Sequence, residues 1–203
     1  SAVLAKRMQI PVYHMEAGNR SFDENVPEET NRRLVDHASD FNLPYTEHAR
    51  RNLLSEGIHP RRVMVTGSPM REVLDFYRDK IDASDILTQL GMVKNEYFLV
   101  SAHRQENIDD PKRLSVLIDS INTIAAKFKL PVIVSLHPRS KNKIDIAKLS
   151  FHPLVRLHEP FGFLDYNKLQ IEARVVLSDS GSVSEESVIL GFPAVTIRDS
   201  MER

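Results

Sequence analysis

No cysteine occurs anywhere in this chain, so disulfides, thiolate catalysis and cysteine-ligated zinc are excluded at the outset. Charge of one sign is also missing: 27 basic and 28 acidic residues nearly cancel. Non-specific nucleic-acid binding needs a basic face, so that partner is not expected, and only a local anion site is left open. No apolar run approaches the roughly 20 residues that span a bilayer, and no signal peptide opens the sequence. The expectation is a soluble cytoplasmic protein with no membrane partner. Internal repeats and low-complexity segments are absent, and so are the dinucleotide fingerprint G-x-G-x-x-G and the P-loop. What the 203 residues do contain is 41% hydrophobic side chains, enough to build a core in one large domain or two small ones.

The two ends carry the expectation of a piece of a longer protein. "SAVLAKRMQ" has the pattern of the last turns of a helix with no cap before Ser1, and "PAVTIRDSMER" is a strand with no covering helix after it. Between them, residues 10 to 15 predict a short apolar strand. "PEETNRRLVDHASDF" starts a helix at Pro27, because a first turn tolerates proline and favours acids. "LPYTEHARRNLLSEGI" predicts an extended segment, Thr46 as N-cap, a helix, and Gly57 just past its end. "RRVMVTGSPM" reads as a strand, "MREVLDFYRDKI" as a helix, and the charged stretch to about residue 95 as a connection. Two domains are therefore expected, residues 1–80 and 81–203.

Beyond that connection the rhythm is regular. "EYFLVSAH", "LPVIVSLHP", "PLVRLHE", "RVVLSDSG" and "FPAVTI" predict strands. Residues 111 to 129 place Leu114, Leu117, Ile118, Ile121, Ile124, Ala125 and Phe128 on one helix face. "FLDYNKLQIEA" and "SVSEESVILG" predict two more helices, the second closed by Gly191. Strands that are apolar throughout and alternate with helices imply an α/β fold, a doubly wound parallel sheet covered on both faces. Ligands of such sheets bind beyond the carboxyl ends of the strands. There the sequence offers His14 to Gly18, Thr66 to Pro69, Ser101 to Arg104, His137 to Arg139, and Ser178 to Ser182.

Three groups of residues at those ends admit two readings each. In "SDSGSVSEES", Ser180 and Gly181 sit where a strand turns into a helix, so free N–H groups and the helix dipole suit a phosphate, with Glu186 in reach of sugar hydroxyls. The plainer reading makes Ser180 or Ser182 an N-cap and Glu185 and Glu186 a solvated face. His103, followed by Arg104, can donate to a phosphate or shuttle a proton, or be structural. Glu16 and Glu28 can act as base and acid if their surroundings separate their pKa values, or be surface glutamates matched to Arg20 and Arg32.

"HMEAGNR", "PEETNRR", "TGSPM", "SAHRQEN", "DSGSVSEES" and "GFPAVTIRDSMER", in this order and spacing, resemble the non-hydrolysing UDP-N-acetylglucosamine 2-epimerases along nearly all of the chain. The resemblance implies a GT-B-like pair of Rossmann-like domains, here truncated: the second half of the N-terminal domain and an incomplete UDP-binding domain. It implies inversion at C2 of a UDP-linked N-acetylhexosamine, with no metal and no nicotinamide cofactor, and a homodimer when full length. By position, Glu16 and Glu28 match the family's acid/base glutamates and Arg32 its substrate-binding arginine. His103 matches the histidine at the diphosphate, Ser180 and Gly181 the phosphate-holding helix start, Glu186 the ribose carboxylate, and Tyr166 an aromatic position near uracil. Two departures stand out: Ser182 occupies a place where the family usually has glycine, and the segment bearing a further catalytic aspartate is not in the sequence. "HMEAGNRSFDENVPEETNRR" and "SAHRQENI" also resemble a branch that forms UDP-N-acetyl-L-fucosamine from the L-pneumosamine sugar in capsule and O-antigen synthesis. A GT-B glycosyltransferase is a further alternative.

Overall fold

The computed structural model describes residues 1–23, 27–102, 109–136 and 150–197. They fall into two compact units that divide between Arg71 and Glu72. No helix among the described residues is long and apolar enough to cross a membrane.

The first unit opens with helix α1 (Ala2–Arg7). Strand β1 (Tyr13–Met15) then pairs in parallel with β2 (Phe41–Leu43) across helix α2 (Pro27–Ala38). Helix α3 (Glu47–Ser55) begins as its sequence predicts: the Thr46 hydroxyl accepts from the Ala49 N–H, and Gly57 beyond its end takes φ +84°. The segment read as a strand, "RRVMVTGSPM", departs from expectation. Pro60–Arg62 winds into a 3-10 turn, and only Val63 forms a bridge, to Asn42. Two further backbone bonds, Met64 N–H to Asn42 O and Thr66 N–H to Pro44 O, keep the segment beside β2. Proline at the start of the turn takes Arg61 and Arg62 out of the expected strand.

Helix α4 (Met70–Asp82) carries the division, with Met70 and Arg71 in the first unit and the rest in the second. The charged stretch read as a connection contains a short helix, α5 (Ile86–Leu90), closed by Gly91 in the left-handed region. Strands β3 (Phe98–Ser101), β4 (Val132–Ser135), β5 (Val155–His158), β6 (Val175–Ser178) and β7 (Ala194–Thr196) form one fully parallel sheet in the order β5-β4-β3-β6-β7. Helices α6 (Pro111–Phe128), α7 (Phe163–Glu172) and α8 (Val183–Leu190) cover it. Successive strand residues point to opposite faces, and the core divides accordingly. Phe98, Val100, Val132 and Val134 pack with Leu114, Ile118, Ile121 and Ala125 of α6. Leu99, Ile133 and Val176 pack on the other face with Leu169 of α7 and Val183 of α8. Every residue of β3 and β4 is buried, which is why both read as unbroken apolar runs.

Candidate functional site

The chain runs outward from β3 to β4 and β5, then crosses back to β6 on the other side of β3. Ser101 and Ser178 therefore end neighbouring strands in register, yet the chain leaves β6 toward α8 on the face opposite α6. Such a divergence opens a crevice at the carboxyl ends of the two strands. Ser178 and Asp179 are buried at its floor, and the Asp179 N–H donates to the Ser101 carbonyl.

The turn after β6 brings the predicted residues Ser180, Gly181 and Glu186 to this crevice. Ser180 N–H donates to the Ser178 hydroxyl, and the Ser180 and Ser182 hydroxyls lie 2.9 Å apart. Ser182 holds the N-cap position of α8, but its side chain does not cap the helix. Its hydroxyl instead donates to Glu186 Oε1 at 2.7 Å. The plainer reading holds in part: Ser182 occupies the N-cap position, and the Ser180 hydroxyl accepts the Ser182 N–H at 3.3 Å, but the Ser182 hydroxyl is turned to Glu186. Helix α8 thus begins without a side-chain cap, and its first N–H groups and dipole suit an anion.

Helix α7 supplies the opposite wall. Its register is fixed by the buried Tyr97, whose hydroxyl donates to the Leu169 carbonyl at 2.7 Å, and by Ser84, which donates to Asp165. Tyr166 and Gln170, four residues apart, share one face. The Tyr166 hydroxyl interacts with Ser101 and Ser178; burial pushes its pKa up, and those two hydroxyls partly offset the rise. Gln170 donates from Nε2 to Glu186 Oε2 at 2.7 Å. Glu186 is thereby held by one donor on each oxygen. Gln170 was not expected from sequence, and the four-residue step from Tyr166 is the signal that points to it; Asp179 lies in the Ser178 to Ser182 segment but had no role assigned to it.

In the first unit, Glu16 leaves β1 in the left-handed region, φ +62°, with its N–H bonded to the Leu43 carbonyl and its carboxylate receiving Asn19 Nδ2. Gly18 follows at φ +80°, so close to α3 that a Cβ there would meet the Ala49 carbonyl oxygen at 2.3 Å. Glu28 is exposed in the first turn of α2, and Arg32, half-buried, lies one turn further along the same helix. Arg20 is not a surface partner of Glu16. Its guanidinium is fully buried, gripping Glu56 through Nε and Nη2 and Asp36 through Nη2, all at 2.7 Å. Burial disfavours that charge, but the hydrogen bonds to Glu56 and Asp36 more than compensate and raise its pKa. Asp36, wholly buried, also takes His14 Nδ1 and the Gly18 N–H, so one carboxylate ties both sides of the Glu16 turn. His103, with Arg104, and His137 to Arg139 lie outside the described residues.

A family model described as UDP-N-acetylglucosamine 2-epimerase matches residues 1–203. The UDP-N-acetylglucosamine 2-epimerase of Methanocaldococcus jannaschii is 36% identical, covering 100% of this chain and 57% of that protein. The UDP-2,3-diacetamido-2,3-dideoxy-D-glucuronate 2-epimerase of Pseudomonas aeruginosa is 34% identical over 99% of this chain and 55% of its own length. Among solved structures, the M. jannaschii epimerase in complex with UDP-GlcNAc and UDP superposes with a TM-score of 0.90 at 36% identity, over 100% of this chain and 57% of that one. The epimerase of Rickettsia bellii gives 0.87 at 41% identity, over 100% and 54%. The chain spans somewhat more than half the length of the curated relatives it matches.

Proposed function

The chain belongs to the UDP-N-acetylglucosamine 2-epimerase family, and from that premise we propose that the full-length protein interconverts UDP-N-acetylglucosamine and UDP-N-acetylmannosamine. A base removes the C2 proton, and the C1–O bond breaks with its electrons leaving on the diphosphate of UDP. A glycal stays bound. UDP then adds back through oxygen to C1 while C2 takes a proton on the opposite face. Carboxylates at the sugar and donors at the departing diphosphate are what such a reaction requires. Glu16 and Glu28 take the proton-transfer roles and Arg32 binds substrate. Residues 1–80 are then assigned to the N-terminal Rossmann-like domain and residues 81–203 to the UDP-binding one, a boundary that falls in the same helix, α4, in which the compact units divide between Arg71 and Glu72.

The observation that carries the reading is the gathering of residues at the carboxyl ends of β3 and β6, where the strand order reverses. Ser180 and Gly181 stand there at the uncapped start of α8, Glu186 is fixed one turn inside it, and Tyr166 lies opposite on α7. A phosphate, a ribose and a base have complementary groups in one place. In this reading Ser180 and Gly181 hold phosphate, Glu186 the ribose, Tyr166 the uracil side, and His103 the diphosphate. Deuterium wash-in at C2 from heavy water tests the chemistry on full-length protein. Binding of UDP-N-acetylglucosamine without wash-in would replace the epimerase reading with that of a GT-B transferase or a binding module.

A second reading concerns the sugar alone. The relative named for a diacetamido-glucuronate is nearly as similar as those named for N-acetylglucosamine, which supports a different UDP-linked acetamido sugar, including the L-pneumosamine to L-fucosamine pair. The same wash-in assay on a panel of such sugars separates them. The reading extends to a cytoplasmic homodimer serving capsule, O-antigen or other envelope polysaccharide synthesis. Sedimentation of the full-length protein as a monomer would remove the dimer.

A further inference from the structure

We propose that Gln170 and Ser182 are positioning residues that aim the Glu186 carboxylate at a vicinal diol, and so set a preference for ribonucleotides over deoxyribonucleotides. The inference rests on the reading of Glu186 as the ribose-binding group.

A glutamate on a helix surface has three free torsions, and a carboxylate that must accept from two neighbouring hydroxyls works best with its plane already set. Here each oxygen has one donor at 2.7 Å, Ser182 Oγ on Oε1 and Gln170 Nε2 on Oε2. One donor per oxygen fixes the plane and leaves each oxygen further acceptor capacity. Two oxygens side by side, both still able to accept, match the two adjacent hydroxyls of a ribose. The amide nitrogen of Gln170 must face the carboxylate, since its oxygen would meet another acceptor.

Gln170 is the more telling of the two. It is 1% exposed, and its carbonyl oxygen has no hydrogen-bond partner among the described residues. A buried amide with one end unsatisfied costs stability, and methionine, unbranched and of similar length, would fill the same space without that cost. The hydrogen bond to Glu186 is the one its side chain makes among the described residues. The residue is thus spent on Glu186 and not on the core. Ser182 completes the grip from the solvent side and joins Glu186 to Ser180, whose hydroxyl it meets at 2.9 Å.

The test is calorimetric binding of UDP and 2′-deoxy-UDP to full-length wild type, Gln170→Met and Ser182→Ala, alongside thermal unfolding. Wild type should prefer UDP, and Gln170→Met should lose about tenfold in UDP affinity, the scale of one hydrogen bond to a charged group. Its 2′-deoxy-UDP affinity should not change, and its melting temperature should hold or rise. Ser182→Ala should erode the same preference, and carries the test alone if Gln170→Met does not fold. A wild type indifferent to the 2′-hydroxyl would overturn the ribose role of Glu186 and this inference with it. A wild type that discriminates beside variants that discriminate equally well would sink the positioning role only. Equal loss of both nucleotides with a lower melting temperature would make Gln170 a structural residue, and the proposal would fall.

Discussion

Replacing Arg20 by methionine should destabilise the first unit severely, and the structure says where the cost falls. Methionine keeps most of the stem volume, so no large cavity confounds the change. The guanidinium makes four contacts that vanish together: two to Glu56, one to Asp36 and one to the Asn19 carbonyl. Glu56 is 19% exposed and can recover water, whereas Asp36 is 0% exposed and cannot. Asp36 would keep His14 and the Gly18 N–H but lose its only buried cation among the described residues. Breaking a buried ion pair from one side costs about 3–5 kcal/mol, a large share of the roughly 5–15 kcal/mol that holds a domain together. Urea unfolding followed by circular dichroism reads the loss, and adding Asp36→Asn should restore part of it by removing the stranded charge. The acid limb should change as well. Arg20 holds the Glu56 carboxyl below its ordinary value near 4.5, against the opposing effect of burial. That stabilisation is complete above the ordinary value and disappears as pH falls through the lower folded one. Arg20→Met should flatten this dependence. A loss under about 1 kcal/mol, or no recovery with Asp36→Asn, would refute the assignment of the cost to Asp36.

Three further outcomes are expected. Gly18→Ala should cost more than about 2 kcal/mol, because φ is positive and the new Cβ would meet backbone of α3; a melting temperature near wild type would show that the turn can shift. Glu29 is buried, and its carboxyl sits low: burial would raise it, but the Ser21 N–H, Arg33 and the Ser21 hydroxyl outweigh that. Its contribution is present above the ordinary value of 4.5 and lost as pH falls through the folded value, so Glu29→Gln should be less stable at neutral pH and less acid-sensitive, as denaturation at a series of pH values would show. Glu16→Gln and Glu28→Gln in full-length protein should each lower turnover by roughly 10²–10⁴ while UDP affinity stays within a few-fold. Near-normal turnover in both would remove them from the proton-transfer roles.

Much of the second unit is legible in its sequence for one physical reason: strands buried on both faces must be apolar at every position, as in "FLV" and "VIV". Helix α6 declares itself by its three-and-four spacing. Less legible is "RRVMV", where β-branched residues suggest a strand but only Val63 is buried; Met64 and Val65 are exposed. Helix α5 hides among charges, although Gly91 marks its end. At the site, the strand-to-helix turn at Ser180 can be read locally because its signal lies within a few residues. Asp36 cannot, since its partners at positions 14, 18 and 20 come from another element. On the sequence it is one more charge on α2. Sequence shows what is periodic or adjacent, and misses polar groups satisfied from a distance.

Under the proton-transfer role proposed for Glu16, its backbone sets stability and chemistry against each other in any campaign of laboratory evolution. A left-handed φ of +62° favours glycine or asparagine over glutamate, by about 1 kcal/mol in the case of glycine. A library selected only for heat resistance would therefore enrich Glu16→Gly and Glu16→Asn, and each would discard the carboxylate. Libraries screened for turnover should return the reverse. If Glu16 has the proton-transfer role proposed for it, position 16 is a place where thermostability statistics and sequence design scores will mislead, rewarding removal of the carboxylate that the proposed reaction needs.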